Sequence, residues 1–152
     1  MANNQEQQVF FLPTPNGQRL CVYHPATGSA ARAAVLYIHP FAEEMNKSRR
    51  MANLQSRKLA GNGYAVLQID LHGCGDSSGD FGDATSQSWF EDISVAWDWS
   101  IAHSHDSVLL WGLRLGATLA LDFSNAQRRR PAGFLLWHPV LNGENYMSQL
   151  LR

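Results

Sequence analysis

Apolar residues in this chain cluster in short unbroken runs, separated by longer segments of helical period. Val9-Phe10-Phe11-Leu12 and Arg19-Leu20-Cys21-Val22-Tyr23 flank Pro13-Thr14-Pro15-Asn16-Gly17, and the proline and Asn-Gly signals between them predict a hairpin. Ala33 to Ile38 is a compact apolar run that predicts a buried strand, and Tyr64 to Ile69, apolar but for Gln68, predicts another. Between them a helix is predicted from about Ser48 to Ala60, stopped by Gly61-Asn62-Gly63. Ser88-Trp89-Phe90-Glu91 has the spacing of a capping box. The helix it opens carries Trp89, Ile93, Ala96, Trp97 and Ile101 on one face. Ser107 to Trp111 then predicts a strand, Leu115 to Phe123 a helix, and Phe134 to Trp137 the last strand.

Nearly apolar strands alternating with helices specify an α/β fold: a mostly parallel sheet, opened by an antiparallel hairpin and covered by helices on both faces. Residues 1–152 are expected to form one domain. In such sheets ligands bind beyond the carboxyl ends of the strands. Three unusual loops leave from that end. They are His39-Pro40-Phe41-Ala42-Glu43-Glu44, the glycine-rich stretch from Asp70 to Gly79, and Gly112-Leu113-Arg114-Leu115-Gly116.

The third loop joins a predicted strand to a predicted helix with the spacing G-x-R-x-G. A lone pair of glycines so spaced also reads as close helix–strand packing. The other reading is a nucleophile elbow, a turn so sharp that glycines flank it and the central residue is thrust above the sheet. Here the centre is Arg114. A guanidinium has donors only and cannot attack a carbonyl, so the elbow keeps its location and lacks its nucleophile. A cation at a helix N-terminus is disfavoured by a few tenths to about 1 kcal/mol, so Arg114 calls for an anion nearby. Glu43 and Glu44 read either as a solvated acidic turn or as that partner; a bound anionic ligand is the remaining candidate.

Gly73-Cys74-Gly75-Asp76-Ser77-Ser78-Gly79 follows a strand but misses the dinucleotide-binding spacing, and the next helix signal waits until Ser88. It reads as a surface loop with positive φ angles. Cys74 lies two residues from His72, without a helix N-terminus to depress its thiol pKa. Among the six histidines no pair has the i, i+4 spacing of a helical metal site, so neither metal nor cofactor is implied. His39 and His72 are the histidines expected on the ligand-binding rim.

Composition narrows the partners. A net charge of -1 and a pI near 6.6 supply no basic field for nucleic acid. Arg128-Arg129-Arg130 reads as a helix C-terminus. The two cysteines lack C-x-x-C spacing, and the polar N-terminus has no apolar signal core. This places the protein in the cytoplasm, with no stretch of membrane-spanning length.

With these residues on the page the chain resembles an α/β-hydrolase. More narrowly it is similar to the hydrolases associated with the exosortase A system of exopolysaccharide-producing bacteria. The narrower likeness rests on the stretch from His39 to Met51 (HPFAEEMNKSRRM) and on Gly73 to Phe81 (GCGDSSGDF); the elbow marks the superfamily. The resemblance implies that the backbone N–H groups of Phe41 and Leu115 form an oxyanion hole, and that His39 shapes that loop without acting as base. The superfamily order is serine, then acid, then histidine. Arg114 replaces the serine, and the acid and histidine belong to strands expected beyond Arg152, so the chain reads as a hydrolase core lacking its last strands.

Three function classes follow. The first is a hydrolase-family protein without serine hydrolysis that binds an anionic or small-molecule ligand, with His39, Glu43, Glu44, His72, Cys74 and Arg114 as candidate contacts. The second is an ester or amide hydrolase represented in part, or using another nucleophile; the third is an interaction module. An apolar last strand left at the sheet edge predicts homo-oligomers through that edge.

Overall fold

The computed structural model describes residues 6–152. Two antiparallel strands, β1 (Gln8–Thr14) and β2 (Gly17–His24), form the hairpin, with Thr14 opposite Gly17 across a tight turn. They are followed by β3 (Ala33–Ile38), α1 (Glu43–Gly61), β4 (Tyr64–Ile69), α2 (Ser86–His103), β5 (Val108–Leu113), α3 (Leu115–Ala126), β6 (Gly133–Trp137) and α4 (Gly143–Leu150). The strands form one sheet in the order β1-β2-β4-β3-β5-β6. β2 pairs with β4 antiparallel, whereas β4, β3, β5 and β6 run parallel. The predicted α/β architecture is therefore the observed one.

β3 lies between β4 and β5, and all of its residues are buried. Its alternating side chains feed two cores. Leu36 and Ile38, with Leu67, Ile69 and Leu110 of the neighbouring strands, pack in the core that includes Ile93, Ala96 and Trp97 of α2 and Ala120 and Phe123 of α3. Val35 and Tyr37, with Val66 and Trp111, pack on the opposite face with Ala52 and Leu59 of α1. Each fully buried aliphatic side chain contributes about 1.5–3 kcal/mol of transfer free energy, so β3 is held rigidly between its two neighbours. The two loops that leave β3 and β5 at their carboxyl ends inherit that rigidity.

Four sequence expectations need correction. Helix α1 begins at Glu43, not at Ser48, so Glu43 and Glu44 occupy a first helical turn and not a loop. Its N-cap, Ala42, makes no side-chain capping bond, which removes the usual signal for a helix start. Helix α2 is capped by Thr85, whose hydroxyl accepts from the Ser88 N–H while Ser88 Oγ accepts from the Thr85 N–H; Ser88 is thus the third helical residue of the box. Ile101 is partly exposed and outside the core. Finally, α4 was not expected; it is capped by Asn142, whose Oδ1 accepts from the Asn145 N–H.

Candidate functional site

The turn from β5 into α3 has the elbow geometry. Arg114 sits at φ 55° and ψ -118°, a region costly for a side-chain-bearing residue by about 1–3 kcal/mol. Both flanking glycines are required by space. A Cβ on Gly112 would run into the backbone of Gly116 and Ala117, and one on Gly116 into the carbonyls of Ile38 and His39. The Arg114 N–H donates to the Trp137 carbonyl at 2.9 Å, tying the elbow to the end of β6. Ala42 repeats the same backbone turn at φ 50° and ψ -128° where β3 passes into α1. Among the described residues neither the Phe41 nor the Leu115 N–H donates a hydrogen bond.

Three side chains, from the first turn of α1, the N-cap of α3 and the middle of α4, converge on the elbow. Arg114 Nε lies 3.5 Å from Glu44 Oε1, and Tyr146 of α4 donates its hydroxyl to Glu44 Oε2 at 2.8 Å. The Arg114 guanidinium also lies over the Tyr146 ring, 5.2 Å from its centroid. Burial and the Glu44 carboxylate hold the Tyr146 phenol well above the usual tyrosine range, so it remains a donor. Glu43 is not part of this group. Its side chain is 86% exposed and lies 3.7 Å from Lys47, one helical turn on.

The remaining candidates are buried and already bonded. His39 Nδ1 donates to the Pro40 carbonyl at 2.7 Å and Nε2 accepts the Leu71 N–H at 3.1 Å. Burial lowers its pKa, so the neutral ring holds the ends of β3 and β4 together. His72 Nδ1 accepts from Arg19 Nη2 at 2.9 Å, and its ring packs against Gly79, where no Cβ would fit. Cys74 is buried, with its thiol pushed up to about 11 by burial first and by Asp70 and Asp92 next, which removes it as a nucleophile at neutral pH. The glycine-rich loop does take positive φ at Gly73, Gly75 and Gly79, yet His72 and Cys74 within it are buried and not on the surface. His138, at the carboxyl end of β6 and exposed, also stands on this rim, a third histidine beyond the expected His39 and His72.

Beneath the rim lies a network that sequence reasoning missed. Arg19, fully buried on β2, donates from Nε to Asp92 Oδ1 at 2.8 Å, while Asp92 Oδ2 accepts the His72 N–H at 2.6 Å. The signal existed: Arg19 shares the inward face of β2 with Cys21 and Tyr23, and Asp92 precedes Ile93 on the buried side of α2. A charge on an inward face demands a partner. A cleft of about 670 Å³ opens beside this floor, lined by Glu43, Asn46, Arg49, Gly75 and Phe81 among others, with Arg49 Nη2 bonded to Asp70 Oδ2 at 3.0 Å. Directly below the elbow, the apolar gap between Phe41, Trp89 and Leu115 is about 10 Å³, about the volume of one water probe.

A strained elbow between two obligatory glycines, at the carboxyl end of a parallel sheet, is the superfamily feature, and a family model described as serine aminopeptidase, S33, matches residues 29–152. The chain belongs to the serine aminopeptidase S33 family. It therefore lies within the α/β-hydrolases. The human protein ABHD12B is 30% identical over 103 residues, 67% of this chain and 27% of that protein. The uncharacterized protein RP471 of Rickettsia prowazekii (strain Madrid E) is 31% identical over 140 residues, 89% of this chain and 56% of that one. The chain thus spans about half or less of the length of these curated relatives. The structure of an α/β serine hydrolase homologue from Coxiella burnetii superposes with a TM-score of 0.74 at 20% identity, covering 97% of this chain and 68% of the other. That similarity is one of fold. Among the described residues of this S33 member, no helix is long and apolar enough to cross a membrane.

Proposed function

We propose that this S33-family chain binds an anionic ligand at its elbow and does not itself carry out serine hydrolysis. Arg114 carries the reading. Its strained backbone is retained although no nucleophile stands there, and among the described residues its two terminal guanidinium nitrogens make no hydrogen bond. The free N–H groups of Phe41 and Leu115 and the start of α3 add donors around the same point. An anion seated there would meet a charged fork, oriented backbone donors and the positive end of a helix. The small volume beneath the elbow supports a ligand held by its charged end.

The narrower context is the exosortase A-associated hydrolases, supported by the motifs from His39 to Met51 and from Gly73 to Phe81. In that context we expect a cytoplasmic protein that recognises an acidic small molecule, and that associates with copies of itself through β6. The competing reading, ester or amide hydrolysis with a nucleophile other than residue 114, draws on the same free N–H groups.

Thermal unfolding in sodium butyrate, sodium phosphate and sodium chloride at matched ionic strength tests the proposal. Butyrate or phosphate raises Tm above the chloride control, and Arg114→Gln removes the rise. Equal Tm values in all three salts refute anion binding. Labelling of any serine by a fluorophosphonate would establish the hydrolase instead.

A further inference from the structure

Glu44 holds a particular position at the elbow. Its carboxylate faces Arg114 Nε through Oε1 and accepts the Tyr146 hydroxyl through Oε2. One oxygen meets a guanidinium and the other a phenol, which is a receptor for a planar carboxylate with Glu44 already seated in it. We infer that Arg114 and Tyr146 form a carboxylate receptor whose internal occupant is Glu44, and that an external monocarboxylate binds in competition with it. The inference rests on the anion-binding reading above and adds the ligand class and its control.

The construction spans three elements. Glu44 belongs to the first turn of α1, Arg114 caps α3, and Tyr146 projects from α4. Glu44 and Tyr146 lie 102 residues apart in sequence, and their bond ties α4 to the start of α1. Phe41, at the oxyanion position, lies edge-on to Tyr146 with ring centroids 6.4 Å apart. An incoming carboxylate either displaces Glu44 or binds beside its negative charge. In both cases Glu44 weakens binding, because the two carboxylates compete for one cation. Displacement would also release the Tyr146 hydroxyl to the ligand. Binding at the elbow is thereby linked to the hold on α4.

Calorimetric titration of butyrate into the 152-residue chain and its Glu44→Gln, Tyr146→Phe and Arg114→Gln variants tests the inference, with circular dichroism verifying that each is folded. Removing the internal charge at a partly wet site is expected to tighten butyrate binding by about tenfold in E44Q. Adding Tyr146→Phe to E44Q takes back about fivefold of that gain, the scale of one hydrogen bond to a charged group, and R114Q abolishes binding. If the parent chain binds butyrate in an Arg114-dependent way but E44Q binds no tighter, the internal-occupant inference falls and the anion site stands. If neither the parent chain nor E44Q binds butyrate or phosphate while both are folded, the anion reading falls with it. Phosphate binding E44Q more tightly than butyrate overturns the assignment to carboxylates. Amide exchange adds an independent readout: residues 143–150 exchange faster in E44Q than in the parent, and unchanged rates count against the tie to α4.

Discussion

Arg19 and Asp92 meet at 2.8 Å with both side chains out of solvent, and they join the antiparallel edge of the sheet to the helix that covers it. Burial raises the Asp92 carboxyl pKa, opposed by the His72 N–H and by Arg19. The pair therefore depends on its full set of bonds. Asp92→Asn is expected to destabilise the protein by about 3–5 kcal/mol, since it leaves a buried guanidinium uncompensated. Replacing both residues, as Arg19→Met with Asp92→Leu, recovers more than half of the loss. Urea unfolding of the three proteins decides between this and a pair of little consequence.

Placing a serine at the elbow should not create catalysis. Arg114→Ser presents a hydroxyl beside two free N–H groups, but an unassisted serine is a weak nucleophile. His39 is committed at both ring nitrogens, and His72 gives Nδ1 to Arg19. His138 reaches the rim without an orienting acid among the described bonds. The expected change in p-nitrophenyl acetate turnover is less than about tenfold, against the several orders of magnitude of a complete triad. A burst of p-nitrophenol with an acyl group trapped on residue 114 would show that a general base acts within the chain, and its loss in the Arg114→Ser, His138→Gln double variant would identify that base as His138.

Acid should weaken the fold through His24. Burial, and then the charge of Arg57, lowers its pKa from 6.5 to about 4. Between those values the unfolded chain binds the proton and the folded chain does not, so stability is complete above about pH 6.5 and is lost as pH falls toward 4. His39 acts in the same direction; Asp92, with a raised pKa, acts oppositely. Comparison with His24→Gln isolates the effect. The parent should lose more unfolding free energy between pH 7 and pH 4.5 than the variant, and parallel profiles would exclude His24 as the source.

The outer edge of β6 has no strand beside it among the described residues, and Phe134 and Leu135 on it are both more than a third exposed. An apolar, unpaired edge is a template for another chain. The 152-residue polypeptide is expected to sediment as a dimer or larger species, and Leu135→Lys to shift it toward monomer. Sedimentation as a monomer at high concentration, together with rapid amide exchange along residues 133–137, would refute the edge contact.

The legible parts of the fold were those set by local composition. The bounds of β3 follow directly from an uninterrupted apolar run and those of β4 from one broken only by Gln68, and the elbow from two glycines placed two residues either side of Arg114. The start of α1 was illegible because Ala42 caps it through backbone conformation alone. Distance in sequence hid the rest. Arg19 and Asp92 are 73 residues apart, Glu44 and Tyr146 102, and no periodicity relates them. Arg114 could be singled out as a cation in need of an anion; that Glu44 approaches it, while Glu43 turns to Lys47, depended on the helix phase that a late start for α1 conceals.

The crowding around the elbow falls on Gly112 and Gly116, whose missing Cβ atoms leave room for neighbouring backbone, whereas residue 114 projects from a frame already closed around it. The scaffold polices the neighbours and leaves the tenant free. Any side chain that tolerates the positive φ can occupy that pedestal without redrawing the sheet or the helix, so the shape of this rim and the reaction it supports are separable properties. Exchange of that arginine for a neutral residue alters the local charge by a full unit while the architecture stands, and likeness of fold among such proteins carries no information about which of them perform chemistry.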